Sequence, residues 1–247
     1  MPTHRFKKNY PLLLVIYFQI GQAGSFLDPN NMLTFVKELL IAEPVILEVG
    51  GRFGEDTIRM KSFWPNATMH VFEPLHSSYE QIIKNTAHLS AIFAYPFALT
   101  TYSGKACFYI NIHNAGASSI GYPVVWNEHE FDKKPIEVDC TTIDEWAKKN
   151  KISRIDFMWL DMEGHELYAL QHGKEILNTV QAIYTEISFE PIRENSCSYI
   201  DLRNFLVEQG FYEAWKSSET GRFGDALFIR KDLIQQHNAR ECSLSNQ

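Results

Sequence analysis

The sequence offers no way to pair its cysteines and no long apolar run. Cys107, Cys140, Cys197 and Cys242 stand far apart without a C-x-x-C pair, so neither a zinc site nor a disulfide framework is indicated, and reduced thiols are expected. Positive charge is also scarce: 23 Lys and Arg face 30 Asp and Glu, a net charge of −7. That balance disfavours a protein whose affinity rests on phosphate backbones, because such binding needs clustered Lys and Arg. Repeats, low-complexity tracts and linker-like stretches are absent. The apolar run Leu12 to Phe18 is too short to cross a bilayer comfortably. His4, Arg5, Lys7 and Lys8 precede it and Gly21-Gln22-Ala23 follow, the order of a short signal peptide. An N-terminal helix or strand packed on the domain fits the same residues.

What remains is 247 residues of ordinary globular composition, 45% hydrophobic, enough for one α/β domain with a sizeable core. We expect an extension over 1–30, the domain over 31–231 and a polar tail over 232–247. Met32, Leu33, Phe35, Val36, Leu39 and Leu40 give a helical pattern from Asn31 to Leu40, ending before Pro44. A strand from Val45 leads into a glycine turn. Glu55 to Phe63 reads as a helix with acids in its first turn, complementing the dipole. Thr68 to Phe72 is a second strand, Ser77 to His88 a helix and Ala91 to Leu99 a third strand. The alternation then breaks: Lys105 to Ile112 reads as a β extension or hairpin, and Asn114 to Tyr122 as a glycine- and serine-rich loop. Pro135 to Asp139 is a short strand, and Thr142 caps a helix to Lys149 with Glu145 at the capping-box position. Ile155 to Asp161, a helix from Glu166 to Leu177, and Val180 to Ser188 resume the βαβ pattern. A helix from Tyr199 to Gln209, closed by Gly210, precedes a terminal hairpin of Phe211 to Trp215 and Ala226 to Ile229. The expected fold class is α/β: a Rossmann-like, mostly parallel seven-stranded sheet with helices on both faces, an antiparallel strand from the last hairpin, and a β insertion after the third strand.

The chemistry concentrates in Val45 to Thr57, VILEVGGRFGEDT, where a strand enters a turn of pattern Glu48-x-Gly50-x-x-x-Gly54. A dinucleotide fingerprint needs G-x-G-x-x-G, which this run does not supply. An acid ahead of the glycines suits a ligand end that carries a cationic amine and would repel a pyrophosphate; S-adenosylmethionine has such an end. Glu73, at the end of the second strand, stands where α/β cofactor folds bind two ribose hydroxyls. Asp161 ends the fourth strand of the repeat, where such folds place active residues.

Glu48 to Gly54, Phe72-Glu73-Pro74, Ala98-Leu99 before Gly104, Ser118-Ser119, Thr142-Ile143-Asp144 and above all Leu160 to Glu166, LDMEGHE, together resemble the FkbM family. The resemblance spans about Val45 to Arg230. It implies a class I methyltransferase that uses S-adenosylmethionine and O-methylates a hydroxyl of a small molecule or glycan. Two departures stand out: Glu48 replaces the commoner Asp, and Gly51-Arg52 the usual Ala-Asn. On this reading Glu48, Gly50, Gly54, Thr57, Glu73, Ala98 and Ser119 hold the cofactor, while Asp161, Glu163 and His165 are the catalytic candidates. An alcohol needs its proton removed before it attacks, and these are the side-chain types that accept one. DNA amine methyltransferases often carry an Asn- or Asp-Pro-Pro-aromatic motif at this place; Asp-Met-Glu-Gly favours an oxygen acceptor. Asp161, Glu163, His165 and Glu186 also have the donor types of a divalent-cation site, but the resemblance requires no metal and none is expected. Tyr122, Trp126 and His129 in the insertion offer aromatic faces to a sugar ring, and a small satellite core would use the same residues. Because S-adenosylmethionine is made in the cytosol, a cytoplasmic enzyme is expected, with export or membrane attachment left open by residues 1–23. The alternatives are a Rossmann-type NAD-dependent oxidoreductase and a non-catalytic cofactor-binding member.

Overall fold

The computed structural model describes residues 29–124, 130–132, 134–191, 193–217 and 221–233. The signal-like segment, Trp126, His129, Cys242 and nearly all of the polar tail lie outside them. Helix α1 (Pro29–Leu39) leads into β1 (Val45–Val49), and α2 (Glu55–Phe63), β2 (Thr68–Phe72), α3 (His76–Thr86) and β3 (Ile92–Tyr95) follow. Next come β4 (Ala98–Leu99), β5 (Gly104–Phe108), β6 (Ile136–Thr141), α4 (Ile143–Asn150) and β7 (Phe157–Leu160). The chain continues through α5 (Glu166–Gln171), α6 (Lys174–Leu177), β8 (Ala182–Ser188), α7 (Tyr199–Glu208), β9 (Phe211–Lys216) and β10 (Phe223–Arg230).

Seven strands form one sheet in the order β3-β2-β1-β7-β8-β10-β9. All pairs from β3 to β8 are parallel, and β10 runs antiparallel between β8 and β9. The strand order reverses between β1 and β7, and in open α/β sheets the crevice beyond such a switch point is where ligands bind. The central strands are apolar on both sides, as a sheet covered on both faces requires. In β7, Phe157 and Trp159 join Ile46 and Met69 under α1 and α2, whereas Met158 and Leu160 join Leu47 and Phe72 under α4, α5 and α7. Among the described residues no helix is long and apolar enough to cross a membrane.

The seven-stranded sheet, with its antiparallel member from the terminal hairpin, agrees with the expectation from sequence. Two elements do not. Ala91 to Leu99 is not one strand: Pro96 has no N–H to give a ladder, and the chain breaks there into β3 of the main sheet and β4 of a second sheet, order β4-β6-β5. This small sheet packs Ala98, Ala106, Phe108, Val138 and Cys140 together and roofs the crevice. The helix expected from Glu166 to Leu177 is likewise two, α5 and α6, parted at Gly173. A Cβ at Gly173 would lie 2.7 Å from Ile143 Cβ, so the break lets the backbone lie against α4. Thr142 caps α4 as expected, accepting from the Glu145 N–H at 3.1 Å, but the reciprocal half of the box is missing because the Glu145 carboxylate accepts from Ser103 instead.

The Gly173 packing has a direct test. Gly173→Ala forces extra volume against Ile143 and is expected to cost about 1–3 kcal/mol in denaturant unfolding. Gly221→Ala, where the added Cβ meets nothing nearer than 3.7 Å, serves as the control and should change stability by less than about 0.5 kcal/mol.

Candidate active site

The crevice lies at the carboxyl ends of β1, β2 and β7 and, counted with the open solvent at its mouth, spans about 610 Å³. Gly50, Glu73, Ala98, Ser119, Asp161 and His165 line it, so six of the residues singled out in sequence meet there. Its shape depends on the turn after β1. The N–H groups of Gly50 and Gly51 both donate to Phe72 O at 3.0 Å, which draws the turn down onto the end of β2. Gly50 has φ +87°, and a Cβ there would stand 1.9 Å from the Asp161 carbonyl oxygen. Only glycine permits both that conformation and that approach.

Glu73 faces the crevice from the end of β2. Its Oε2 accepts the Arg52 N–H at 2.9 Å and its Oε1 the Leu75 N–H at 2.8 Å. Each oxygen keeps a second lone pair, so the carboxylate can still accept from a vicinal diol. Burial pushes its carboxyl up to about 7, against those two backbone hydrogen bonds. Asp161 is exposed to the crevice. Protein nonetheless crowds it closely, and this desolvation, with Glu163, Asp225 and Asp56 adding negative charge, raises its carboxyl above the usual range. His165 pairs through Nε2 with Thr100 Oγ1 at 2.9 Å, and burial pushes its imidazole down to about 4. A neutral ring at physiological pH is the consequence.

Four residues assigned to the site stand behind it. Glu48 is 1% exposed and accepts the Thr57 hydroxyl at 2.5 Å, so both lie beneath the glycine turn. Thr57 therefore acts on the crevice only through Glu48. Gly54 starts α2 with φ +85° and packs on Ile82 and Thr86, a turn position away from the crevice lining. Glu163 forms an ion pair with the buried Arg193 at 2.7 Å. The turn it belongs to is tight, with φ +56° at Glu163 and +93° at Gly164, and the carboxylate that holds it is that of Glu166, whose Oε1 accepts from the Met162 and Gly164 N–H groups at 2.8 and 3.3 Å.

Sequence reasoning missed Arg193 altogether. Its Nε donates to Ser119 Oγ at 2.9 Å and its Nη2 to Ala117 O at 2.8 Å, while the same Nη2 meets Glu163. One guanidinium thus ties the insertion to the loop after β7. The insertion is not a plain glycine-serine loop: Asn111 Oδ1 accepts the His113 and Asn114 N–H groups, and Ser118 Oγ the Asn111 N–H. Phe97, Phe108, Ile120 and Met162 add apolar lining. Tyr122 packs edge-on against Tyr109 and stays outside the lining. A lone arginine in a polar loop, 74 residues from Ser119, carries no local signal.

A parallel sheet with its crevice at the switch point, an acid before the glycine turn and a diol-accepting carboxylate after β2 define a class I methyltransferase, and this donor set fits S-adenosylmethionine. The family model "Methyltransferase FkbM domain" matches residues 48–212, and the chain belongs to that family. It is a methyltransferase that uses S-adenosylmethionine, and neither the oxidoreductase alternative nor the non-catalytic one is favoured. The chain is 27% identical over 200 residues to the 2-O-methyltransferase NoeI of Sinorhizobium fredii (strain NBRC 101917 / NGR234), covering 77% of this chain and 81% of that protein. Among solved structures, Aeropyrum pernix fibrillarin with natively bound S-adenosyl-L-methionine aligns with a TM-score of 0.48 at 9% identity, over 77% of this chain and 69% of that one. TrmK of M. capricolum in complex with S-adenosyl-homocysteine aligns at 0.46 and 14%, over 81% and 68%.

The buried Glu48 predicts a pH dependence. Burial pushes its carboxyl from the ordinary 4.5 to about 8, so the folded protein holds a proton that the unfolded chain releases. Its stabilising contribution is complete below the unfolded value and is lost as pH rises toward 8. Melting of the cofactor-free protein should therefore weaken between pH 5 and pH 8. Glu48→Gln should flatten that profile and gain about 1–3 kcal/mol at the alkaline end; a variant profile parallel to the wild type's would contradict the assignment.

Proposed function

We propose that the chain O-methylates a hydroxyl on a small molecule or glycan. The observation that carries this reading is the Asp161 carboxylate, which opens into the crevice that Gly50 and Glu73 also line. When bound, S-adenosylmethionine supplies an electrophilic methyl group on a sulfonium. Glu73 would accept hydrogen bonds from its ribose hydroxyls, and Glu48, under the glycine turn, would give up its proton to face the cofactor's cationic amino end. Ala98 would flank the base, and Gly50 keeps the floor free of a side chain.

Asp161 accepts the proton of the acceptor hydroxyl as its oxygen attacks. A carboxyl raised above its ordinary range is a stronger base than a surface aspartate, which suits proton removal from an alcohol. His165, neutral and held by Thr100, offers an uncharged polar group on the same lining. Glu163 acts at one remove, by fixing Arg193 and through it Ser119 and the insertion. The relative's name, a 2-O-methyltransferase, supports an oxygen acceptor, and the net charge of −7 supports a small molecule or glycan over a nucleic acid. The reaction belongs in the cytosol, where the cofactor is made.

Turnover against a library of hydroxylated small molecules and oligosaccharides tests this reading. Once an acceptor is found, Asp161→Asn should lower kcat by about 10²–10⁴-fold with cofactor affinity changed little. Unchanged turnover in that variant would take the proton-accepting role away from Asp161, and methylation of amines alone would overturn the oxygen acceptor.

A further inference from the structure

On the Asp161 side of the crevice, β7 and β8 bring three carboxylates together. One oxygen each from Asp161, Glu163 and Glu186 lies within 4.8 Å of the others. The register places them there: Leu160 pairs with Thr185, so Asp161 and Glu186 are the next residues along adjacent parallel strands, and the turn at Glu163 folds back beside them. Like charges so close repel, and the cluster is costly unless something neutralises it. Arg193 answers Glu163 at 2.7 Å. The Arg193 charge also acts on Glu186. Its Oε2 is sealed from solvent and has no hydrogen-bond partner, although the residue keeps part of its surface elsewhere. A buried carboxylate oxygen left without a donor, on a residue beside two other carboxylates, is costly unless a proton or a cation neutralises the group.

We propose that Asp161, Glu163 and Glu186 form a binding site for a hard divalent cation of the Mg²⁺ or Mn²⁺ class. All three donors are carboxylate oxygens, the chemistry these ions select. A cation about 2.1–2.5 Å from its oxygens holds opposed ligands about 4–5 Å apart, which matches the spread of the cluster. Three carboxylates and one arginine leave two negative charges, the complement of one divalent ion. Of the four residues of suitable donor type in the sequence, His165 is not in the cluster: its Nε2 is engaged with Thr100. Without the cation, the three carboxyls hold protons more tightly than isolated ones do; the cation displaces those protons. The inference rests on the O-methylation reading in one respect only: a cation here lowers the pKa of an acceptor hydroxyl that reaches it, and the proton of the breaking O–H bond passes to the Asp161 oxygen that does not face the ion.

Binding is measured without cofactor or acceptor, by titrating the full chain with Mn²⁺ and following free Mn²⁺ by electron paramagnetic resonance. The expected result is one saturable site of sub-millimolar affinity, competed by Mg²⁺. Glu186→Gln and Asp161→Asn should each weaken it at least 10-fold, while Asp139→Asn on the small sheet leaves it unchanged. Glu186→Gln, which removes a carboxyl crowded by two others, should also melt no lower than the wild type without metal, and unlike the wild type should gain nothing from Mn²⁺. No saturable binding by the wild type, or equal binding by Glu186→Gln, overturns the site. Failure here leaves methyl transfer intact, whereas bound Mn²⁺ with no transfer to any hydroxyl would count against the acceptor reading alone.

Discussion

The approach of Gly50 to the Asp161 carbonyl is the constraint on which the rest depends. Two parallel strands end side by side, and the turn after one must pass over the end of the other without a side chain between them. The Asp161 N–H donates to Val49 O at 3.0 Å, so the contact extends the ladder by one step past the last paired residues. Because the turn lies this low, its N–H groups reach Phe72 O, and Arg52 N–H reaches Glu73. Three strand ends are thereby locked to one another, and the crevice is the space above the lock.

Charge is distributed unevenly around that crevice. Glu73 and Asp161 line it at strand ends and Glu48 lies buried beneath the glycine turn, while Arg193, joined to Glu163, is buried behind them. A cationic sulfonium cofactor with an ammonium group suits such surroundings, and so does a hard cation; an anionic pyrophosphate does not. The roof works differently. It is the small sheet, apolar on its lower side through Ala98 and Phe108, and it offers surface without charge.

Much of this was legible in the sequence because the signals were local. The Glu48 to Gly54 turn, Glu73 after β2 and Asp161 after β7 each follow an apolar strand whose end is marked by a glycine, a proline or an acid, and the helix and strand periods fix their faces. Other features depend on pairings across long separations. β4 joins β6 in parallel, which no pattern within Ala91 to Leu99 reveals beyond the Pro96 break. Arg193 reaches Ser119 and Glu163 from a loop of unremarkable composition. Thr57 shows the opposite error: its place in the motif made it a cofactor contact, yet its hydroxyl is consumed by Glu48.

The central claim, that the crevice bounded by Gly50 and Glu73 binds S-adenosylmethionine, is tested most directly by isothermal titration of the protein with S-adenosylmethionine, S-adenosylhomocysteine and NAD in parallel. The account predicts saturable binding of the first two, weakened about 10-fold or more by Glu73→Ala through loss of the hydrogen bonds to the ribose, with no binding of NAD. Binding of the two cofactor forms that is indifferent to Glu73→Ala would place the cofactor elsewhere, and binding of neither would contradict the account.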